Sequence, residues 1–207
     1  RIPLLKMTIR LFLMLLSASV VIHSCDCNKD NCLRENYSFG IYCTGVPDRD
    51  SIFINDTIWF DIAEPTTLKD LITNQFVSFN NVANLSTVIG LNELLGNSQV
   101  RDAVADFDYI LIFGTEINST NPARFKEYVF NEEGGQYKFR LGIVPKRTGI
   151  FRIGFSDAAN VYRKTEECTK AYFKILFKQT NQHLYYNDQN FGIITPLPSN
   201  MYCFKVK

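Results

Sequence analysis

Along the second half of the chain, apolar and polar residues alternate with period two. Tyr137, Phe139, Leu141 and Ile143 fall on one side of an extended backbone, while Lys138 and Arg140 fall on the other. That pattern marks a strand with one buried face. Phe151, Ile153 and Phe155 repeat it around Arg152, and Ala171, Phe173, Ile175 and Phe177 repeat it beside Lys170, Lys174 and Lys178. The same reasoning predicts strands at Tyr37 to Thr44, Ile52 to Ile54, Thr57 to Ile62, Phe125 to Phe130 and Tyr202 to Val206. Phe107 to Thr115 is nearly continuously apolar and predicts a central strand buried on both faces. Turn chemistry stands between these runs, in Glu132-Glu133-Gly134-Gly135 and from Pro145 to Gly149.

Helical periodicity is weak throughout, and no helix longer than about two turns is expected. Residues 64–106 are polar, Asn-rich and weakly periodic; Thr66 to Thr73 could form a helical turn or two and Phe76 to Phe79 and Ser86 to Ile89 are possible strands, but the section as a whole reads as long connections. Residues 185–199, with Gly192, Pro196 and Pro198, read as a loop leading to the last strand. About seven to nine short strands joined by turns predict an all-β protein, an antiparallel β-sandwich of immunoglobulin-like type with long irregular connections. A hydrophobic share of 46% is ample for a core, and 17 Phe and 10 Tyr against one Trp favour strand.

The N-terminal stretch does not follow this pattern. Met7 reads as the initiator, Arg10 supplies a positive charge, and Leu11 to Ile22 forms an uncharged apolar run of 12 residues. A membrane-spanning helix needs about 20 such residues, so the run reads as the core of a secretory signal. It ends Ile22-His23-Ser24-Cys25. This resembles a bacterial lipobox, with an aliphatic residue three before the cysteine and a small residue directly before it. His23 departs from the small residue usual at the middle position. The resemblance implies a signal peptide over 1–24, lipidation of Cys25, a polar tether over 25–35 and one sandwich domain over 36–207. The competing reading is an ordinary secretory leader with Cys25 in a disulfide. Loss of the leader removes Arg1, Lys6 and Arg10 from 22 basic residues and nothing from 21 acidic ones. A slight acidic excess argues against nucleic acid as a partner.

Cysteines at 25, 27, 32, 43, 168 and 203 behind such a leader imply an oxidising compartment. With Cys25 lipidated, five remain and one lacks a partner. A Cys168–Cys203 bridge would tie the last strand to its neighbour, and Cys43 would pair with Cys27 or Cys32. A zinc site from Cys25, Cys27, Cys32 and Cys43 lacks the paired knuckles of structural zinc, and no metal or cofactor is expected.

Beyond the cysteines, the chain carries little that points to catalysis. His183, the one histidine beyond the leader, sits among loop-like residues and reads as a solvated side chain. No H-E-x-x-H, phosphate-binding loop or G-x-S-x-G occurs. Asp48-Arg49-Asp50 and Asp106-Phe107-Asp108 lack the rest of a calcium loop. A glycan hydrolase needs only two acids across a cleft, and Asp102, Asp106, Asp108 and Glu116 are the candidates. Sequons at Asn36, Asn55, Asn84 and Asn118 support another alternative, a eukaryotic secreted glycoprotein with three disulfides.

Asp-Ser-Ile-Phe-Ile-Asn-Asp-Thr-Ile-Trp-Phe, residues 50–60, together with Cys25, resembles uncharacterised surface and periplasmic lipoproteins of Bacteroidota. Asn55 stands where that family usually has Gly. The likeness extends to Arg-Thr-Gly-Ile-Phe-Arg-Ile-Gly-Phe at 147–155 and to the cysteine-bearing end, Met-Tyr-Cys-Phe-Lys-Val-Lys. It implies a lipid-anchored, non-catalytic binding or structural module at the outer membrane, facing periplasm or cell surface, with an unknown protein or glycan ligand. It further implies O-glycosylation at Ser51 and Thr57, each preceded by Asp and followed by Ile. Asp26 and Lys29-Asp30 loosely match a surface-export signal.

Overall fold

Over Gln136–Pro145 the alternation becomes burial: Tyr137, Phe139, Leu141 and Ile143 are wholly buried, with Lys138 and Arg140 half-exposed between them. The computed structural model describes residues 35–178, 182–193 and 198–207. The expected leader, the lipidation of Cys25 and the tether with Cys27 and Cys32 lie outside the described residues. In chain order the strands are β1 (Glu35–Val46), β2 (Ser51–Ile52), β3 (Ile58–Pro65), β4 (Thr67–Lys69), β5 (Phe76–Ser78) and β6 (Val82–Ala83). They continue with β7 (Ser86–Gly96), β8 (Gln99–Asp102), β9 (Phe107–Phe113), β10 (Thr115–Ile117), β11 (Phe125–Val129) and β12 (Asn131–Glu133). The last are β13 (Gln136–Pro145), β14 (Gly149–Phe155), β15 (Ala158–Arg163), β16 (Glu166–Phe177) and, after a helix α1 (Tyr185–Phe191), β17 (Met201–Val206).

These strands build a sandwich-like, nearly all-β unit over Glu35–Lys207. Sheet I runs β12-β13-β3-β1-β16-β15-β6, with β9 also on β13, and sheet II runs β10-β11-β7-β14-β17-β2, with β8 on β7. Strands β4 and β5 form a separate hairpin. The expected antiparallel wiring holds for most pairs but not all. β1 runs parallel to β16 from Glu35 to Cys43, then antiparallel to β3 from Thr44 to Val46, and β17 is parallel to β2. Period-two alternation specifies which face is buried and says nothing of strand direction.

Three further expectations change. β9 is an edge strand, paired among the described strands only with β13, and Ile110 and Ile112 on its outward face are exposed. An apolar run at a sheet edge imitates a central strand in composition alone. Within residues 64–106, read as connections, β7 stands in the middle of sheet II between β11 and β14. Thr87, Ile89 and Leu91 point inward there, but polar Thr87 and the intervening Gly90 and Asn92 weaken the alternation. Residues 185–191 form α1, which ends at Gly192 in the left-handed region (φ 77°), whose N–H donates to the Asp188 carbonyl.

Aromatic rings join the sheets. Phe60 of sheet I meets Phe155 and Tyr202 of sheet II at centroid distances of 5.5 and 5.9 Å, and Phe107 meets Phe151 edge-on at 4.9 Å. Within sheet I, at the other end, Phe173 contacts Phe39 at 5.2 Å and Tyr137 at 5.7 Å. The Tyr137 hydroxyl donates to the Phe79 carbonyl, so its polar end is satisfied within the core.

The β4–β5 hairpin is fastened to the start of β1 through Asp70, which is wholly buried. Its carboxylate accepts from the N–H groups of Ser38 (2.9 Å), Ile72 (3.3 Å) and Thr73 (2.9 Å) and from the Thr73 hydroxyl (2.7 Å). The Leu71 N–H donates back to the Ser38 carbonyl at 2.7 Å. Burial alone would raise the Asp70 carboxyl, but these hydrogen bonds outweigh it and hold the group below its ordinary value. A carboxyl lowered by folding contributes stability that is complete above its unfolded pKa, about 4, and is lost as pH falls through the folded value. Asp70→Ala therefore costs about 1–3 kcal/mol at neutral pH by leaving buried donors unpaired. Urea unfolding at pH 7 and pH 3 checks this, because the gap between variant and parent narrows at the lower pH.

Candidate functional site

The loop between β1 and β2 faces the segment that opens α1, and a polar recess of about 560 Å³ lies between them. Asp48, Arg49, Asp50, Ser51, His183 and Tyr185 line it. His183, expected to be solvated, is only 3% exposed and takes a left-handed backbone (φ 51°) that turns its ring inward. Tyr202 packs edge-on against the ring at 5.1 Å. His183 Nδ1 lies 3.1 Å from the Cys203 carbonyl oxygen, which can only accept, so Nδ1 carries a proton. That leaves Nε2 on the Asp48 side, 3.8 Å from Oδ1.

Asp50 is the other acid of the recess. Hydrogen bonds from Tyr185 and then Ser51 hold its carboxyl below the usual range, with the Tyr185 hydroxyl 3.0 Å from Oδ2. Burial, followed by the bonds to Tyr186 and Asp50, pushes the Tyr185 phenol up. The recess thus presents an oriented imidazole, two carboxylates, a guanidinium and a phenol, an arrangement suited to hydrogen-bonding a small polar group. Sequence reading missed it because residues 48–51 and 183–185 are far apart in the chain.

A second cleft, about 400 Å³, holds Asp108 and Glu116 with Phe107, Tyr109, Lys126 and Lys146. It contains two of the four acids considered for glycan hydrolysis. Each is held by a lysine in the same cleft: Glu116 by Lys126 at 2.6 Å and Asp108 by Lys146 at 3.2 Å. Asp106 instead joins a closed ionic network. Arg147 is bidentate to Glu93 (2.8 and 2.8 Å) and reaches Asp106 at 2.7 Å, while Arg101 touches the same two acids at 3.0 and 2.6 Å. Asp102 pairs with Arg124 at 2.9 Å. The network fastens β7, β8 and the turn before β9 to the β13–β14 hairpin. Among the described residues no group of three or more His, Cys, Asp or Glu side chains is placed to hold a metal ion.

The cysteine expectations are corrected. Cys43 and Cys203 are free and buried, whereas Cys168 is disulfide-bonded, so its partner is neither of them. Cys203 lies in sheet II between two core residues, Tyr202 and Phe204, and so faces away from sheet I, to which Cys168 belongs. The sheets of a sandwich pack about 10 Å apart, beyond the roughly 7 Å Cα limit of a disulfide. Cys43 pairs in register with Phe177, nine residues and about 30 Å along β16 from Cys168, and points into the core. These two buried thiols contradict a secreted glycoprotein with all six cysteines bridged, although Asn36, Asn55, Asn84 and Asn118 are all exposed.

Ser51 and Thr57 are half-exposed, Ser51 in the polar recess and Thr57 with its methyl against Gly142 and Trp59. Elsewhere, the end of the β4–β5 hairpin, its turn and the first residue of β5, displays Leu71, Ile72 and Phe76 at 47%, 65% and 74% exposure. No family model and no curated protein matches the chain. Among solved structures, the human F-spondin reeler domain is similar over 84% of this chain and 93% of that one, at 9% identity and a TM-score of 0.39.

Burial pushes both free thiols up, Cys203 to about 12 despite the opposing charge of Arg152. A thiol so placed is protonated and shielded at neutral pH. Iodoacetamide therefore leaves Cys43 and Cys203 unlabelled in the folded chain and modifies both after unfolding in urea, as read by peptide mass mapping.

Proposed function

We propose that the chain is an exported, lipid-anchored protein of a Gram-negative bacterial envelope whose sandwich serves as a non-catalytic binding or structural module. Export is supported by the secretory-type leader and by the oxidised state of Cys168, since disulfides persist in oxidising compartments. The anchor is supported by Ile22-His23-Ser24-Cys25, in which Cys25 would receive the acyl chains and hold the domain at the outer membrane, on its periplasmic or outer side.

One contrast carries the binding role. Asp102, Asp106, Asp108 and Glu116 are held by Arg124, Arg147, Lys146 and Lys126, so they act as ties between elements. Leu71, Ile72 and Phe76 stand exposed on a turn that Asp70 makes rigid. A scaffold that pairs its charges internally and displays apolar side chains outward is built for contact with another surface. Protein or glycan remains the class of ligand for the sandwich, and glycan attachment at Ser51 and Thr57 belongs to the same reading.

Intact mass of the protein isolated from bacterial membranes tests the anchor. The parent carries added acyl mass and a Cys25→Ala variant does not. Equal masses together with a soluble parent would overturn the lipoprotein assignment.

A further inference from the structure

We propose that the turn between β4 and β5 is a second contact with the lipid surface, with Leu71, Ile72 and Phe76 inserted at the boundary between headgroups and acyl chains. The inference rests on the lipid-anchored reading above and adds the residues through which the domain meets the bilayer.

Four observations converge. First, the three side chains are among the more exposed large apolar groups of the described residues, at 47%, 65% and 74%, and they lie within six positions of one another. Second, the tip is rigid. Asp70 accepts four hydrogen bonds from Ser38, Ile72 and Thr73, and Asn74 takes the left-handed turn conformation (φ 62°) while donating to the Asp70 carbonyl at 2.8 Å. Apolar groups on a stiff turn enter an interface with little further loss of conformational freedom. Third, the charge suits a membrane. From Thr66 to Phe79 the charged residues are Lys69, which is exposed, and Asp70, which is buried and fully engaged. The tip therefore shows no exposed carboxylate to an anionic lipid, and Lys69 adds one cation beside it.

The fourth observation selects the bilayer over other apolar partners. The hairpin is bonded to β1 at Ser38, through its N–H to Asp70 and its carbonyl from Leu71, three residues after the domain begins at Glu35. Ten residues separate Glu35 from Cys25, a reach of at most about 35 Å. An acylated Cys25 thus keeps this end of the sandwich within a short distance of the membrane that holds the acyl chains. The apolar tip is fastened to that same end. Inserted, it would fix the orientation of the domain.

The test uses the full chain with Ile72→Trp, purified from bacterial membranes and reconstituted into vesicles of phosphatidylethanolamine with a minor share of phosphatidylglycerol. Half of the preparations carry phospholipid brominated at shallow acyl positions. Contact at the acyl boundary predicts about a twofold or greater loss of the added indole's emission in brominated vesicles, with the native Trp59 signal of the parent unchanged. Amide exchange across residues 71–76 of the unsubstituted chain supplies a readout free of the substitution, and vesicles should slow it. Unquenched emission together with unchanged exchange overturns the proposal. Acyl mass with neither quenching nor slowed exchange removes the tip contact and leaves the anchor standing. Quenching without acyl mass retains the tip contact and removes the anchor.

Discussion

The structure depends on the interlocking of aromatic rings between two sheets. Phe60 and Phe139 of sheet I reach Phe155 of sheet II at 5.5 and 6.4 Å, and Phe107 reaches Phe151 and Phe204 at 4.9 and 6.0 Å. Burial of a phenylalanine side chain stabilises a fold by about 1.5–3 kcal/mol, and favourable ring pairs add to it. Because the rings come from strands distant in the chain, they lock topology as well as contribute energy. Within sheet I, the parallel pairing of β1 with β16 sets Phe39 in register with Phe173, at a centroid distance of 5.2 Å.

Polar groups complete what the rings cannot. A sandwich of strands that cross between sheets leaves turns and hairpins beyond its faces, and these are fastened by ionic and hydrogen-bonded ties. Asp70 fixes the β4–β5 hairpin to β1, and the Arg147, Glu93, Arg101 and Asp106 network fixes β8 to the β13–β14 hairpin. Arg152 donates to the Asn187 side chain at 2.7 Å and stacks over Phe191, which holds α1 on the outer face of sheet II. Seclusion of Cys203 beneath α1 is a consequence. Asp102, Asp106, Asp108 and Glu116 are each paired with a basic side chain.

Strand faces could be read in the sequence wherever inward positions were uniformly apolar, as in β13, β14 and β16. Of β7 only Ser86 to Ile89 is legible as a possible strand, because its inward Thr87 is polar and its outward Gly90 is neutral in pattern, so most of a central strand resembles a connection. β9 was misplaced for the opposite reason, since Ile110 and Ile112 on an open edge look like core residues. The polar recess depends on contacts between residues more than 130 positions apart, such as Tyr185 to Asp50, which local spacing does not report. Cysteine positions likewise carry no information on which sheet a thiol faces, and the Cys168–Cys203 pairing failed on that point.

The buried rings carry the stability of the fold, and the displayed ring at Phe76 does not. Equivalent truncations separate the two. Urea unfolding should show Phe173→Ala losing about 3–5 kcal/mol, as expected for a wholly buried ring in an aromatic cluster, and Phe76→Ala losing less than about 0.5 kcal/mol. Comparable losses in the two variants would contradict the account, since they would mean that the exposed turn is part of the stabilising core.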